Sequence, residues 1–192
     1  MTSWLALHGL LAYFGFYQNL EAVPPRIFLA FAPTLLLIIA LFATSSGRKW
    51  MNDLDLKTLT LLHGVRIPVE FVLYWLFLNK VVPELMTYEG RNFDILAGIT
   101  APFVYYFGFV KSKIGRKGIL FWNIVCLLLL LNIIINAILS APLPFQQFAF
   151  DQPNIAILYF PMVWLPALVV PIVLFSHLVA ISRLVKESPK KF

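Results

Sequence analysis

Six long apolar runs, nearly free of charged residues, divide the sequence of 192 residues. An α-helix rises about 1.5 Å per residue, so about 20 apolar residues cross a hydrocarbon layer of about 30 Å. The runs predict an all-α fold, a polytopic transmembrane helical bundle that forms one integral membrane domain over residues 1–192. The predicted spans, about six in number, lie near 4–20, 27–43, 59–78, 95–110, 119–139 and 156–181.

The composition excludes a water-soluble globule. Hydrophobic residues make up 60% of the chain and charged residues only 12%, whereas an ordinary soluble domain has roughly 25% charged residues. The net charge of +6 lies between the apolar runs rather than along a groove, so nucleic acid is not an expected partner. We therefore expect the lipid bilayer to be the main surroundings of this chain.

The positions of the basic residues predict the orientation of the bundle. Eleven of the 15 Lys and Arg residues follow the second, fourth and sixth runs, and only three lie in the loops between the other runs. Short loops rich in Lys and Arg stay on the cytoplasmic side of a membrane. The sequence thus predicts a multi-pass protein of the cell inner membrane with both termini in the cytoplasm.

The third run carries charged residues where a membrane span rarely has them. Four polar side chains share one stripe of this helix: His63, Arg66, Glu70 and Tyr74. Arg66 and Glu70 are four residues apart and near the bilayer midplane, so we expect them to pair and to face the bundle interior. Pro68 lies between them and predicts a kink, because it breaks the backbone hydrogen bond to Gly64.

Polar residues on two other runs predict partners for this stripe. Asn132 and Asn136 share a face of the fifth run, and Asn132 has the predicted depth of Glu70. His177 in the sixth run has the predicted depth of His63. Neither histidine has a second ligand one turn away, so no metal and no cofactor are predicted. The alternative interpretation of the asparagines is hydrogen bonding between helices without any other function.

Prolines and loops predict where the helices deviate from regular geometry. Pro161, Pro166 and Pro171 recur every five residues, so the last span is expected to bend or to start late, with Pro161 near its first turn. The loops 79–93 and 140–154 contain prolines and aromatic residues but few charges. We expect both loops to fold onto the outer mouth of the bundle.

The favoured function is a buried polar site that binds a small or lipophilic ligand or relays protons, as in a transporter or receptor, with Glu70 as the titrating group. A second hypothesis is an enzyme that acts on a lipid or lipid-linked substrate at the outer face. Its acids would be Glu89, Asp94 and Asp151, with Arg91 holding a phosphate or carboxylate. A third is a structural or assembly subunit without a site. No motif of a known enzyme class decides between them.

Overall fold

A computed structural model describes residues 1–186, and within this range every regular element is helical. The α-helices are α1 (Thr2–Tyr13), α2 (Phe28–Ala43), α3 (Ser45–Asp53), α4 (Leu56–Leu62), α5 (Arg66–Leu78), α6 (Ile95–Val104), α7 (Arg116–Leu139) and α8 (Val170–Lys186). Short 3₁₀ turns cover Phe16–Gln18, His63–Val65, Glu84–Met86 and Ala156–Leu158, and π-helical segments cover Tyr105–Val110 and Leu165–Val169. The predicted all-helical class is confirmed for the described residues.

Three helical segments are long and apolar enough to cross a membrane: Leu56–Leu78, Arg116–Leu139 and Leu165–Lys186. Helix α2 passes the same test only together with α3, and the two are bent by 94°. The first and fourth predicted runs form shorter helices, of which α1 has 12 residues. The chain is therefore compatible with three or four membrane spans, and six full spans remain a prediction.

Prolines lie near the starts of two helices. A 3₁₀ turn over His63–Val65 separates α4 from α5, and Pro68 lies in the first turn of α5. The chain from Leu56 to Leu78 still forms one membrane-length segment, so the kink at Pro68 stays a prediction. The predicted start of the last span at residue 156 is wrong, because its helix begins at Leu165. The late start follows from Pro161 and Pro166, which have no backbone N–H to donate. Pro161 itself precedes the helix.

Helix α6 begins inside the bundle rather than at its surface. Its preceding residue, Asp94, contacts Arg66, which lies ten residues, or about 15 Å, into the segment Leu56–Leu78. Helix α6 then packs along α4 and the 3₁₀ turn His63–Val65. The loop 79–94 packs on α5, which is the other half of the segment Leu56–Leu78. This descent of the loop explains why the run 95–110 is short for a membrane span.

The two long loops are joined to each other, in line with the prediction that they fold onto the bundle. The side-chain amide of Gln152 donates to the carbonyls of Phe77 (3.0 Å) and Val82 (2.6 Å). The backbone N–H groups of Ile155 and Ala156 both donate to the Val81 carbonyl, each at 3.1 Å. Backbone polar groups of these loops are thereby satisfied within the protein, as a loop next to hydrocarbon requires.

Three arginines donate hydrogen bonds to backbone carbonyls at helix ends. They lie at the end of the bundle opposite the long loops. Arg116 donates to the carbonyls of Leu184 and Val185, Arg183 to that of Leu54, and Arg48 to those of Phe42 and Ala43. Cations are favourable beside helix C-terminal carbonyls.

At the start of α4, Asp55 caps the helix, and the hydrogen bond from the Thr58 hydroxyl keeps the pKa of this carboxyl below its usual value. The tail lysines Lys190 and Lys191 lie outside the described residues.

Gly98 tests the close packing of α6 on the segment that carries Arg66. A Cβ at Gly98 would lie 2.8 Å from Ile67 Cγ1 and 3.2 Å from the Ile67 backbone nitrogen. We expect Gly98→Ala to lower the free energy of unfolding by about 1–3 kcal/mol through overpacking. Gly64→Ala is the matched control, because nothing lies within 4 Å of its Cβ position. Thermal unfolding in detergent measures both, and equal stabilities would contradict this packing.

Candidate functional site

An ion pair lies in the interior of the bundle. Arg66 Nη1 donates to Asp94 Oδ1 at 2.7 Å, and the two side chains are only 3% and 7% exposed. Arg66 is the first residue of α5, and Asp94 precedes α6, so the pair joins these two helices. A buried charge is costly unless a partner of opposite charge satisfies it. Because each charge satisfies the other, the end of the loop 79–94 can lie inside the bundle.

Arg66 is also bonded to the two longest helices. Nη1 donates to the Cys126 carbonyl on α7 at 3.3 Å, and Nη2 lies 2.8 Å from His177 Nε2 on α8. Nε, by contrast, is buried and has no hydrogen-bond partner. One guanidinium thus bonds Asp94 and two helices, and two of its five N–H groups, on Nε and Nη2, have no hydrogen bond.

The hydrogen bonds define the protonation of His177. Arginine has donors only, so His177 Nε2 accepts the bond from Arg66. Nδ1 then carries the proton and donates to Asn123 Oδ1 at 3.0 Å, while Asn123 Nδ2 donates to the Ile119 carbonyl. His177 is therefore a neutral imidazole in this arrangement.

The two histidines, for which the sequence predicted only a common depth, are in ring contact. Their ring centroids are 3.9 Å apart, and the rings are inclined by 15°. Trp122 approaches the edge of His63 at 5.5 Å, and its indole N–H donates to the Thr100 hydroxyl at 2.9 Å. His63 Nδ1 is buried without a hydrogen-bond partner. No group of three or more His, Cys, Asp or Glu residues in the described part of the chain is placed to hold a metal ion.

Glu70 pairs with an amide instead of with Arg66, so the predicted ion pair between Arg66 and Glu70 is wrong. Both Glu70 oxygens accept from Asn92 Nδ2, at 2.6 and 2.7 Å. Asn92 Oδ1 in turn accepts from the Asp94 backbone N–H at 3.0 Å. The physical reason is the descending loop, which brings its own carboxylate and amide to the two charged residues of α5.

Three other predicted site residues lie elsewhere. Asn132 donates to the Arg91 carbonyl at 2.8 Å, and Asn136 donates to Asn132 at 3.2 Å, so neither bonds Glu70. Tyr74 stacks on Tyr88 with the ring centroids 5.0 Å apart. These side chains bond the loop 79–94 or each other because the loop, rather than α7, fills the space next to Glu70.

The predicted outer-face set does not share one environment. Glu89, Arg91 and Asp151 are exposed, whereas Asp94 is buried against Arg66. Asp94 therefore belongs to the buried site, and a catalytic site of all four residues at the outer face is contradicted.

Sequence reasoning missed Asn92 and Asn123 and misassigned Asp94. The sequence contained a signal for Asn92 and for Asp94. Both lie within three residues of the start of the apolar run 95–110, which is short for a membrane span, and a short run indicates that the residues before it lie deep. Asn123 lies in an apolar run, as Asn132 does, and only the rotation of α7 distinguishes them.

A cavity of about 330 Å³ lies next to these charged residues. Its walls are apolar side chains of α2, α5, α7 and the segment Leu165–Leu174, and its only charged lining residues in the described part of the chain are Arg66, Glu70 and Asp94. Arg66 and Asp94 line it near mid-bundle, while Leu143 and Ile157 line it beneath the long loops. The cavity surface is thus almost entirely apolar, and the three charged residues lie beside one end of it, with their polar groups turned toward one another.

Comparison with known proteins gives a family but no function. Residues 24–185 match the family model described as a domain of unknown function, DUF8737. The chain belongs to this family. No curated protein and no solved structure matches the chain. Arg66, Glu70, Asp94 and His177 all lie within the matched residues, so the buried site belongs to the part of the chain that defines the family.

Asp94→Asn tests which acid balances Arg66. It leaves the guanidinium without a charged partner, so we expect the free energy of unfolding to fall by about 3–5 kcal/mol. Glu70→Gln keeps the ion pair and should cost less. Replacing both partners, Arg66→Met with Asp94→Leu, should cost less than the sum of the single changes. Asp151→Asn, an exposed acid, is the control. A larger loss for Glu70→Gln than for Asp94→Asn would contradict the assignment.

Proposed function

We propose that this chain is a multi-pass protein of the cytoplasmic membrane that binds a small lipophilic ligand within its helix bundle. The observation that carries the proposal is the cavity of about 330 Å³, apolar along its walls and bounded at its inner end by three buried charged residues. Small-molecule sites in proteins are mostly apolar pockets of about 300–1,000 Å³ with a few polar groups that orient the ligand.

The charged residues beside the cavity are held in place by hydrogen bonds within the protein. Arg66 is bonded to Asp94, to the Cys126 carbonyl and to His177, and Glu70 is bonded to Asn92. Groups already fixed before binding cost little conformational entropy when a ligand arrives. Charged residues inside a membrane bundle are costly, and they typically mark a functional site.

The proposed orientation rests on the basic residues, and three of these, all arginines, share one end of the bundle. Arg48, Arg116 and Arg183 lie at one end of the bundle, and the loops 79–94 and 140–164 lie at the other. We assign the arginine end to the cytoplasm because Lys and Arg accumulate on that side. The Arg66 end of the cavity then lies near the middle of the membrane, with the long loops outside.

Filling the cavity tests the proposed function. Ala137 lines the cavity on α7, whereas Leu128 on the same helix is 60% exposed and faces away from the core. We expect Ala137→Phe to reduce binding of radiolabelled dodecanol by about tenfold or more, since the added ring occupies the ligand's volume. Leu128→Phe should bind as the unchanged chain does. Scintillation proximity in nanodiscs measures both, and equal binding by the two variants would contradict the proposal.

Labelling of single cysteines tests the orientation. In a Cys126→Ala background, Glu89→Cys places a thiol in an exposed outer-loop position, and Ser112→Cys places one between α6 and α7. We expect a membrane-impermeant maleimide to label Glu89→Cys in intact spheroplasts and Ser112→Cys only after permeabilisation. The Cys126→Ala chain alone gives the background. The reverse pattern would invert the proposed orientation.

A further inference from the structure

A shallow depression lies between α3 and α8 at the arginine end of the bundle. Its polar lining comes from both helices: Arg48 and Asn52 of α3, and Ser182, Arg183 and Lys186 of α8. No acid is among the described residues that line it, and it shares no lining residue with the cavity beside Arg66. The depression is therefore a separate basic surface of the protein.

The depression lies at the level of the lipid headgroups when the long helices cross a membrane. Lys186 ends the segment Leu165–Lys186, whose 22 residues extend about 33 Å at about 1.5 Å per residue. Helix α3 turns by 94° from α2, so it runs nearly parallel to the membrane surface if α2 crosses. Trp50 of α3 is 51% exposed and stacks on Phe175, which lies farther into the bundle along α8. Tryptophan is enriched at this boundary between lipid and water.

Local packing fixes α3 in this position. Gly47 has no side chain at the bend, and a Cβ there would overlap the carbonyl oxygen of Leu41. One turn later, Met51 is buried among apolar residues of α8. Gly47 and Met51 thus form the inner face of α3, and the residue after each, Arg48 and Asn52, lines the depression.

The side chains of the depression supply mainly hydrogen-bond donors and positive charge. Arg48 Nη1 donates to two carbonyls at the end of α2, while its Nε and Nη2 make no hydrogen bond within the described residues. Neither Arg48 nor Lys186 forms an ion pair in this part of the chain. A guanidinium edge binds two phosphate oxygens, and a lysine ammonium binds phosphate as a point charge. Asn52 and Ser182 carry further donors beside them.

We propose that this depression binds the phosphate of an anionic membrane phospholipid. Basic pockets between membrane helices bind anionic headgroups at this depth. Phe42 of α2 lines the depression, and Ile39, one turn earlier, is 62% exposed and offers apolar surface to an acyl chain. Free phosphate would gain nothing from this apolar surface. The site requires only that the long helices cross a membrane, so it holds or fails independently of the ligand proposed for the cavity.

Native mass spectrometry of the full-length chain in detergent tests the site with two lipids that share their acyl chains. Phosphatidylglycerol is anionic, whereas phosphatidylcholine has no net charge. We expect the first phosphatidylglycerol to bind about tenfold more tightly than phosphatidylcholine, and an excess of inorganic phosphate to leave it bound. Equal affinities for the two lipids would overturn the proposal. Displacement by inorganic phosphate would also overturn it, because the site would then be one for free phosphate.

Variants locate the bound lipid. Lys186→Gln removes one charge from the depression, so we expect the affinity for phosphatidylglycerol to fall about fivefold and that for phosphatidylcholine to stay unchanged. Lys117→Gln is the matched control, because Lys117 is an exposed lysine at the same end of the bundle but outside the depression. An equal loss in these two variants would reduce the effect to general attraction by basic residues and overturn the site.

A second variant tests the guanidinium. Arg48→Gln removes the charge and the two donors on Nε and Nη2, so we expect it to lower the affinity for phosphatidylglycerol about tenfold. An unchanged affinity would remove Arg48 from the site and contradict the proposal. Arg48 also bonds the end of α2. Lys186→Gln decides the matter if Arg48→Gln does not fold, since the Lys186 side chain makes no hydrogen bond within the described residues.

Discussion

The buried guanidinium of Arg66 is the constraint on which the rest of this structure depends. A positive charge near the middle of an apolar bundle must have its partners supplied by the protein, because neither water nor lipid compensates it there. Asp94, the Cys126 carbonyl and His177 supply them, from the end of a loop and from two helices. Satisfying one side chain thus fixes how deeply the loop 79–94 descends and how α7 and α8 face each other.

The sequence predicted the features that depend on local spacing. Run lengths define helices, and the helical period placed His63 and Arg66 on one inward stripe, with His177 at matching depth. The partner of Arg66 was not predictable in this way, since the nearest acid along the helix, Glu70, is bonded by Asn92 instead. Which acid approaches a buried base depends on how a distant loop folds. The short run 95–110 was the one sequence signal of that fold.

The cavity could not be predicted from the sequence, for a related reason. Its apolar lining residues do not differ in kind from those that face lipid. Only packing distinguishes them, as Ala137 and Leu128 on one helix illustrate. Irregular backbone contributes as well, because the π-helical segment Leu165–Val169 forms part of the wall. π-Helical segments of this kind are frequent at functional sites. The charged end and the apolar wall are therefore one feature of the fold, built from the family's own segment of the chain.

The most direct test of this account is to locate the tail of a bound ligand by anomalous X-ray scattering from ω-bromododecanol. The account predicts one bromine peak inside the bundle, beside Leu143 and Ile157 under the long loops, with the hydroxyl directed toward Glu70 and Asp94. Bromine found only on the lipid-facing surface of α7, or at the Arg66 end of the cavity, would contradict it.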